Sequence, residues 1–462
     1  MESLVRKLGV LLCCLLGTSF GTTLSYADDL VSILDLALEN DPSLRQARAQ
    51  YRANRESVNQ SFGALLPNVS LSGSTTRQTS GPPDTSYVTT DTGQIVRIND
   101  HDFSPGVNSH QWGINMQQSL FNLSSWYTYQ SARANDRAAA LNFAAQEQDL
   151  IMRVATAYFD VLRAIDLLET NVQEEEAALT SLQQTQRREE VGLDTIIDVY
   201  DAQAAYDLAR NTTILQQDIL QSRYEALEAL TGQAHPDIEA LQEEFPIVNV
   251  DGSLEEWEDM AESNSLAIAS AEYSLEASRK TLKAREADHL PTITLQGGFR
   301  HSVTPGIQIA GLNYESGATD GTQLILNLNI PLYAGGTTQS RRRAANYQVS
   351  AAREALELTK RQLTQNIRNT YRRVNTDVLV IAQRQQSILS AQSALDQTTL
   401  GIEVGQRNIV ELLRARENLY RALRQYADAR YNYVVDTLLL KQVTGVLSPQ
   451  DIIDLNAWLE AE

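Results

Sequence analysis

Two groups of charged residues have the spacing to do chemistry together. Asp194, Asp198 and Asp201 stand at i, i+4 and i+7, which puts side chains on one face of a helix. Arg407, Glu411 and Arg414 repeat that spacing 213 residues later. The first set is wholly acidic; the second carries two arginines around one acid. If the two faces meet, Asp–Arg pairs tie neighbouring helices together. If they do not, both stay solvated, and their i, i+4 pairs contribute about 0.3 kcal/mol each.

Other chemistry is thinly represented. The histidines, His101, His110, His235, His289 and His301, are scattered without metal-ligand spacing. Asp100-His101-Asp102 with His110 would hold a metal only loosely, and polar loop residues are the blander reading. No G-x-S-x-G, P-loop or H-E-x-x-H pattern occurs. The expectation is a protein that is not an enzyme and uses no cofactor or metal.

The elements that position these charges begin after a secretory signal. Arg6 and Lys7 precede an apolar run, Leu8 to Gly17, too short to span a bilayer as a helix. Ser25-Tyr26-Ala27 offers a small-x-small cleavage site, so residues 1–27 are expected to be removed. Cys13 and Cys14 go with them, leaving no disulfides or thiolate ligands. Without Glu2, Arg6 and Lys7 the chain has 57 acids against 36 bases. A surface this acidic repels nucleic acid. No later segment is apolar enough for a membrane helix, so any crossing must use β-strands.

The remainder is a duplication, residues 28–245 and 246–462. Val191-Gly192 and Val404-Gly405, Thr231-Gly232 and Thr444-Gly445, and Pro236 and Pro449 all pair at an offset of 213. Leu66-Pro67-Asn68 matches Leu290-Pro291-Thr292 at 224, and Ser119-Leu120-Phe121 resembles Pro331-Leu332-Tyr333 at 212. The length change falls between these matches, as loops allow.

Each half predicts the same elements in order. A helical pair comes first, about Leu30–Gly63 and Leu254–His289, with Asp41-Pro42 and Ser253/Glu256 as start signals. Two strands with a long polar loop follow, within about 66–121 and 290–333. The loops are Ser74–His110 and His301–Thr322. Then comes a very long helix without Gly or Pro, Ser124–Glu190 or Thr337–Leu400. A last helix follows, Asp194–Leu230 or Asn408–Val443, entered through Gly192 or Gly405. Leu150, Val154, Tyr158, Val161, Ile165, Leu168 and Val172 step like a coiled-coil seam. A plain coiled coil would account for the helices but not for the strands.

In the strands apolar and polar residues alternate: Val69 and Leu71; Trp112, Ile114 and Met116; Ile293 and Leu295; Leu324, Leu326, Leu328 and Ile330. Trp112, Phe121, Phe299 and Tyr333 are expected at or near strand ends, as an aromatic belt. Soluble hairpins resting one face on a core would show the same alternation. A membrane barrel needs at least about eight strands, and one chain offers four. Two chains would make a barrel filled by its own side chains; three leave room for a pore.

The chain resembles the TolC-type outer-membrane efflux proteins. The resemblance spans nearly all of it after the signal. Its most specific pieces are Leu65-Leu66-Pro67, Ala155-Thr156-Ala157-Tyr158-Phe159, Pro331-Leu332-Tyr333-Ala334-Gly335-Gly336, Val404-Gly405 with Arg407, and Ala429-Arg430-Tyr431-Asn432-Tyr433. It implies a mixed α and β fold: a homotrimer with a twelve-stranded β-barrel in outer-membrane lipid and a periplasmic barrel of long coiled-coil helices. It implies an exit duct for drugs, toxic small molecules or proteins. The partners would be a periplasmic adaptor and an inner-membrane pump of RND, ABC or MFS type. The rival reading is a periplasmic coiled-coil adaptor or scaffold without a pore. Matched to the family's entrance, Arg407 and Asp198 stand at constricting links, and Glu411 and Arg414 at two acidic-ring positions, the second with its sign inverted. Ile402 and Ile197 replace a tyrosine and a threonine that help close the family's entrance.

Overall fold

A computed structural model describes residues 28–78, 86–98, 107–304, 306–309 and 312–460. The expected signal segment and Asp100-His101-Asp102 lie outside these residues. The chain runs α1 (Leu30–Asn40), α2 (Pro42–Gly63), β1 (Asn68–Gln78), β2 (Ser86–Thr89), β3 (Ile95–Ile98), β4 (Val107–Phe121), α3 (Leu123–Glu190), α4 (Ile196–Thr231) and β5 (Ala240–Leu241). It continues through α5 (Leu254–Asn264), α6 (Leu266–Ala287), β6 (Thr292–Thr304), β7 (Ile307–Ile309), β8 (Leu312–Tyr314), β9 (Gly317–Asn329), α7 (Thr337–Glu403), α8 (Ile409–Val443), α9 (Pro449–Asn456) and β10 (Leu459–Glu460).

Local chemistry sets these boundaries. The Leu44 N–H donates to the Asp41 carboxylate at 2.6 Å, with Pro42 opening α2. Ser253 and Glu256 form a reciprocal capping box on α5. Gly192 and Gly405, at φ +80° and +71°, reverse the chain between the long helices. With 68 and 67 residues, α3 and α7 are each about 100 Å long.

The main sheet has the order β1-β4-β6-β9, every neighbouring pair antiparallel. The register aligns Leu71 with Ile114 and Ile114 with Phe299, and Val69, Met116, Gly297 and Leu324 in the next row. The alternating apolar residues of all four strands therefore share one face, and that face is bare: Leu71 is 74 % and Leu324 75 % exposed. Gly113 is needed where β4 nears β6, since a Cβ there would lie 2.7 Å from the Phe299 carbonyl oxygen.

Two expectations need correction. The polar stretches are not loops throughout: β1, β4, β6 and β9 run on into them, and β2–β3 and β7–β8 form further hairpins there. The added hairpins do carry a strand signal, Tyr87-Val88 with Ile95-Val96 and Ile307-Gln308-Ile309 with Leu312-Asn313-Tyr314, but each run is only three or four residues long and lies within a stretch whose overall composition is polar. Trp112 and Phe299 consequently lie inside their strands, not at the ends, with ring centroids 5.4 Å apart.

The buried core sits at the waist of the helices, where α1, α9 and the β5–β10 ribbon thicken the bundle. Tyr158 and Phe159 of α3 pack there with Tyr431 of α8. The Tyr158 hydroxyl donates to the Glu239 carbonyl (2.7 Å) and that of Tyr431 to the Asp166 carboxylate (2.8 Å). Burial pushes both phenols far above their ordinary range. Arg430 donates to the carbonyls of Leu241 and Gln242, and Tyr433 bonds both the N–H and the carbonyl of Val248. The Arg-Tyr-Asn-Tyr run thus straps the connection between the halves onto α8. Phe245 packs edge-on against Tyr433 and Trp458, which joins the end of the first half to elements of the second.

Candidate functional site

The charged positions singled out in the sequence lie at the helix tips farthest from the sheet. At the first tip α3 ends and the chain turns through Gly192 into α4. The Leu193 N–H donates back to the Arg188 carbonyl at 2.8 Å. This reversal brings Asp194 against Arg188, whose guanidinium grips its carboxylate at 2.8 and 3.1 Å. Asp194 precedes α4, so it does not share the helical face of Asp198 and Asp201, contrary to the i, i+4, i+7 reading. Asp198 stands at the third helical position. Its carboxylate accepts from the Thr195 N–H (2.9 Å) and hydroxyl (2.7 Å), while the Thr195 oxygen accepts from the Asp198 N–H. Those bonds hold the Asp198 carboxyl below its ordinary pKa.

The second tip uses the same backbone with other side chains. The Gln406 N–H donates to the Gly401 carbonyl at 2.8 Å. Gly401 occupies the position of Arg188, and Arg407 that of Asp194. A Cβ on Gly401 would lie 2.5 Å from Arg407 Cγ, so the arginine stem rests where a side chain would stand. The guanidinium reaches forward to Glu411 at 3.2 Å and stays 58 % exposed. Asn408 caps α8 by accepting from the Glu411 N–H at 2.9 Å. Ile197 is exposed and Ile402 partly covered.

Further along, Asp201 and Arg414 face the same cavity without pairing. Both line a cavity of about 380 Å³ between α3, α4 and α8, with Glu174, Arg416, Glu417 and Arg424. Neither Asp201 nor Arg414 has an ion pair within 4 Å among the described residues. Beside the cavity, α8 is sewn to α3 by a stripe at fourfold spacing. Arg416 donates to the Ala177 carbonyl, Tyr420 to the Gln173 carbonyl, and Arg424 to Asn171 and Glu174. Burial lowers the Arg416 pKa. The sequence reading missed Arg188, Gly401 and this stripe. The stripe carried a signal, polar side chains at positions i, i+4 and i+8, but not its partner.

Asp198 and Arg407 do not pair within one chain; each is engaged locally. No group of His, Cys, Asp and Glu among the described residues could hold a metal.

Comparison with known proteins agrees with this architecture. The family model described as "Outer membrane efflux protein" matches residues 33–233 and 257–446. The outer membrane protein TolC of Vibrio cholerae is 34 % identical over 437 residues, covering 94 % of each chain. The alkaline protease secretion protein AprF of Pseudomonas aeruginosa is 26 % identical, over 93 % of this chain and 86 % of its own. The solved structure of CusC superposes with a TM-score of 0.76 at 17 % identity, covering 90 % of this chain and 92 % of that one.

Proposed function

The chain belongs to the outer membrane efflux protein family, a family of channels in the outer membrane, and from that premise we propose that three copies close into one exit duct. The observation that carries this is the bare, open sheet. Its edge strands β1 and β9 have 11 and 13 residues with one side unpaired. In lipid each unpaired backbone group costs several kcal/mol, about 3 or more. The four strands alternate in direction, so β9 of one copy lies antiparallel to β1 of the next. Three copies give twelve strands with the apolar face outward and the polar face around a lumen.

The helices continue the duct on the periplasmic side. Drugs and other toxic small molecules are one cargo class, as efflux implies. Secreted proteins are the other, as the likeness to a protease secretion protein supports. An adaptor and an energised inner-membrane pump supply drive and selectivity. The gate lies at the tips, where Arg407 exchanges Glu411 for an acid of the adjoining copy, Asp198 foremost. Asp201 and Arg414 form a second charged level behind it.

The test is planar-bilayer recording beside detergent extraction. The duct predicts a trimer that needs detergent and dissociates on heating. Arg407→Gln and Asp198→Asn would each raise single-channel conductance. A protein released without detergent, or one giving no channels, overturns the duct; channels unchanged in both variants overturn only the gate.

A further inference from the structure

The junction between β9 and α7 departs from the rest of this acidic chain. There Leu332 is 92 % and Tyr333 88 % exposed, the barest large apolar side chains among the described residues. Leu332 continues, in sequence, the alternation of Leu324, Leu326, Leu328 and Ile330 past the end of β9, and Tyr333 follows it. The helix that follows starts on Gly336 with no side-chain cap and no acid in its first turn. Arg341, Arg342 and Arg343 come next, and the first acid in α7 is Glu354. None of the three arginines has an ion-pair partner within 4 Å among the described residues. The fold does not require them: at the offset of 212 that relates these two junctions the first half has Tyr129, Gln130 and Ser131, on a helix capped by Asn122.

We propose that this junction is an anchor for the inner leaflet of the outer membrane, Leu332 and Tyr333 entering the bilayer edge and Arg341, Arg342 and Arg343 binding phospholipid phosphates. The proposal rests on the sheet lying in lipid and is independent of the gate. Distance fits it. At about 1.5 Å per residue the three arginines lie roughly 6–9 Å into α7, about the depth of a headgroup layer, and their long stems can reach back. Orientation fits as well. Successive residues turn by about 100°, so three in a row leave at least one facing outward whatever the helix rotation. Guanidinium is the side chain best matched to phosphate oxygens, which it grips two at a time. The tyrosine beside them is amphipathic, suited to the boundary between acyl chains and headgroups.

The experiment uses the intact trimer in vesicles of phosphatidylcholine alone or with one part in three phosphatidylglycerol. Lipid retained after mild detergent is read by native mass spectrometry, and trimer dissociation by heating. The wild type is expected to enrich phosphatidylglycerol and to dissociate at higher temperature in its presence. R341Q/R342Q/R343Q should lose that enrichment by tenfold or more, since each cation near an anionic surface is worth about fivefold. Replacing the three by lysine should restore part of it. L332S/Y333S should lower the dissociation temperature in vesicles while keeping the preference for phosphatidylglycerol. Undiminished enrichment in the glutamine variant overturns the proposal. So does an equal loss of trimer stability in detergent, phosphatidylcholine and phosphatidylglycerol, which would make the junction a contact between copies.

Discussion

The tip joining α3 to α4 satisfies its charges internally, and the tip joining α7 to α8 does not. Arg188 and Asp194 hold each other across the first turn, and Asp198 is bound into the Thr195 cap. In the second tip Gly401 has removed one partner and Arg407 has replaced the other, so an exposed guanidinium is held only by Glu411 in the first turn of the helix that follows it. The shafts behave similarly. Arg223 pairs with Asp160 at 3.5 Å in the first hairpin; at the equivalent positions Asp436 pairs with Arg373 at 3.0 Å. The same bridge is kept with its signs exchanged. Duplicated hairpins can thus share a backbone while one becomes self-contained and the other presents charge to a neighbour.

The largest expected effect separates the tips by conductance. Arg407→Gln should raise it severalfold in bilayer recordings. Asp194→Asn, which breaks an internal pair, should leave it close to wild type. Equal responses would break the comparison.

Next, Gly401→Arg would put a side chain into the Arg407 stem and a second cation beside it. The strain should destabilise the second tip by about 1–3 kcal/mol. Hydrogen exchange over residues 400–408 would show it. Adding Arg407→Asp recreates the first tip's pair, so protection should return while conductance stays high. If the double variant remains unprotected, the tips differ by more than these two side chains.

Thr195→Ala removes a two-sided cap and should cost about 1 kcal/mol, read as faster exchange in the first turn of α4. Asp198 has a lowered folded pKa. Its contribution is therefore present above the ordinary carboxylate value and is lost as pH falls through the lowered one. Protection of that turn, measured against the intrinsic exchange rate at each pH, should fall in acid for the wild type but not for Asp198→Asn.

The smallest effect tests the shafts. Asp377 stands beside the Arg373–Asp436 bridge of the second hairpin, where the first has buried Ala164. Burial first, then the Asp436 charge, push Asp377 up to about 6 from 3.8, while Arg373 pulls the other way. An acid raised in the folded state stabilises it below the unfolded value, and this is lost as pH rises through about 6. Asp377→Asn should therefore stabilise the protein at pH 7 by on the order of 1 kcal/mol, discounted for partial exposure. The gain should vanish near pH 4. A gain independent of pH would mean that the carboxylate's charge is not what costs stability.

Much of this was legible in the sequence, for local reasons. Asp41-Pro42, Ser253 with Glu256, and the turn glycines act over three or four residues, so their spacing suffices. The alternation of Val69, Leu71, Ile114 and Leu326 disclosed the sheet because a period of two is also local. The Arg188–Asp194 grip escaped notice because residues six apart meet only through the sharp reversal at Gly192. The need for Gly401 escaped for the same reason: nothing in the sequence shows that Arg407 folds back over it. The strap held by Arg430 and Tyr433 joins residues nearly 190 apart, beyond any periodicity.

The strand order has a consequence for symmetry. Within the chain, β4 of the first repeat pairs with β6 of the second. In the proposed ring, β9 of the second repeat meets β1 of the next first repeat by the same rule. Repeats therefore succeed one another identically whether or not a peptide bond joins them. A ring of unfused single repeats would be sixfold, with six interchangeable hairpins. Fusion lets alternate hairpins mutate separately, and the glycine at 401 marks that broken equivalence: three pillars can stay fixed while three others carry the latch.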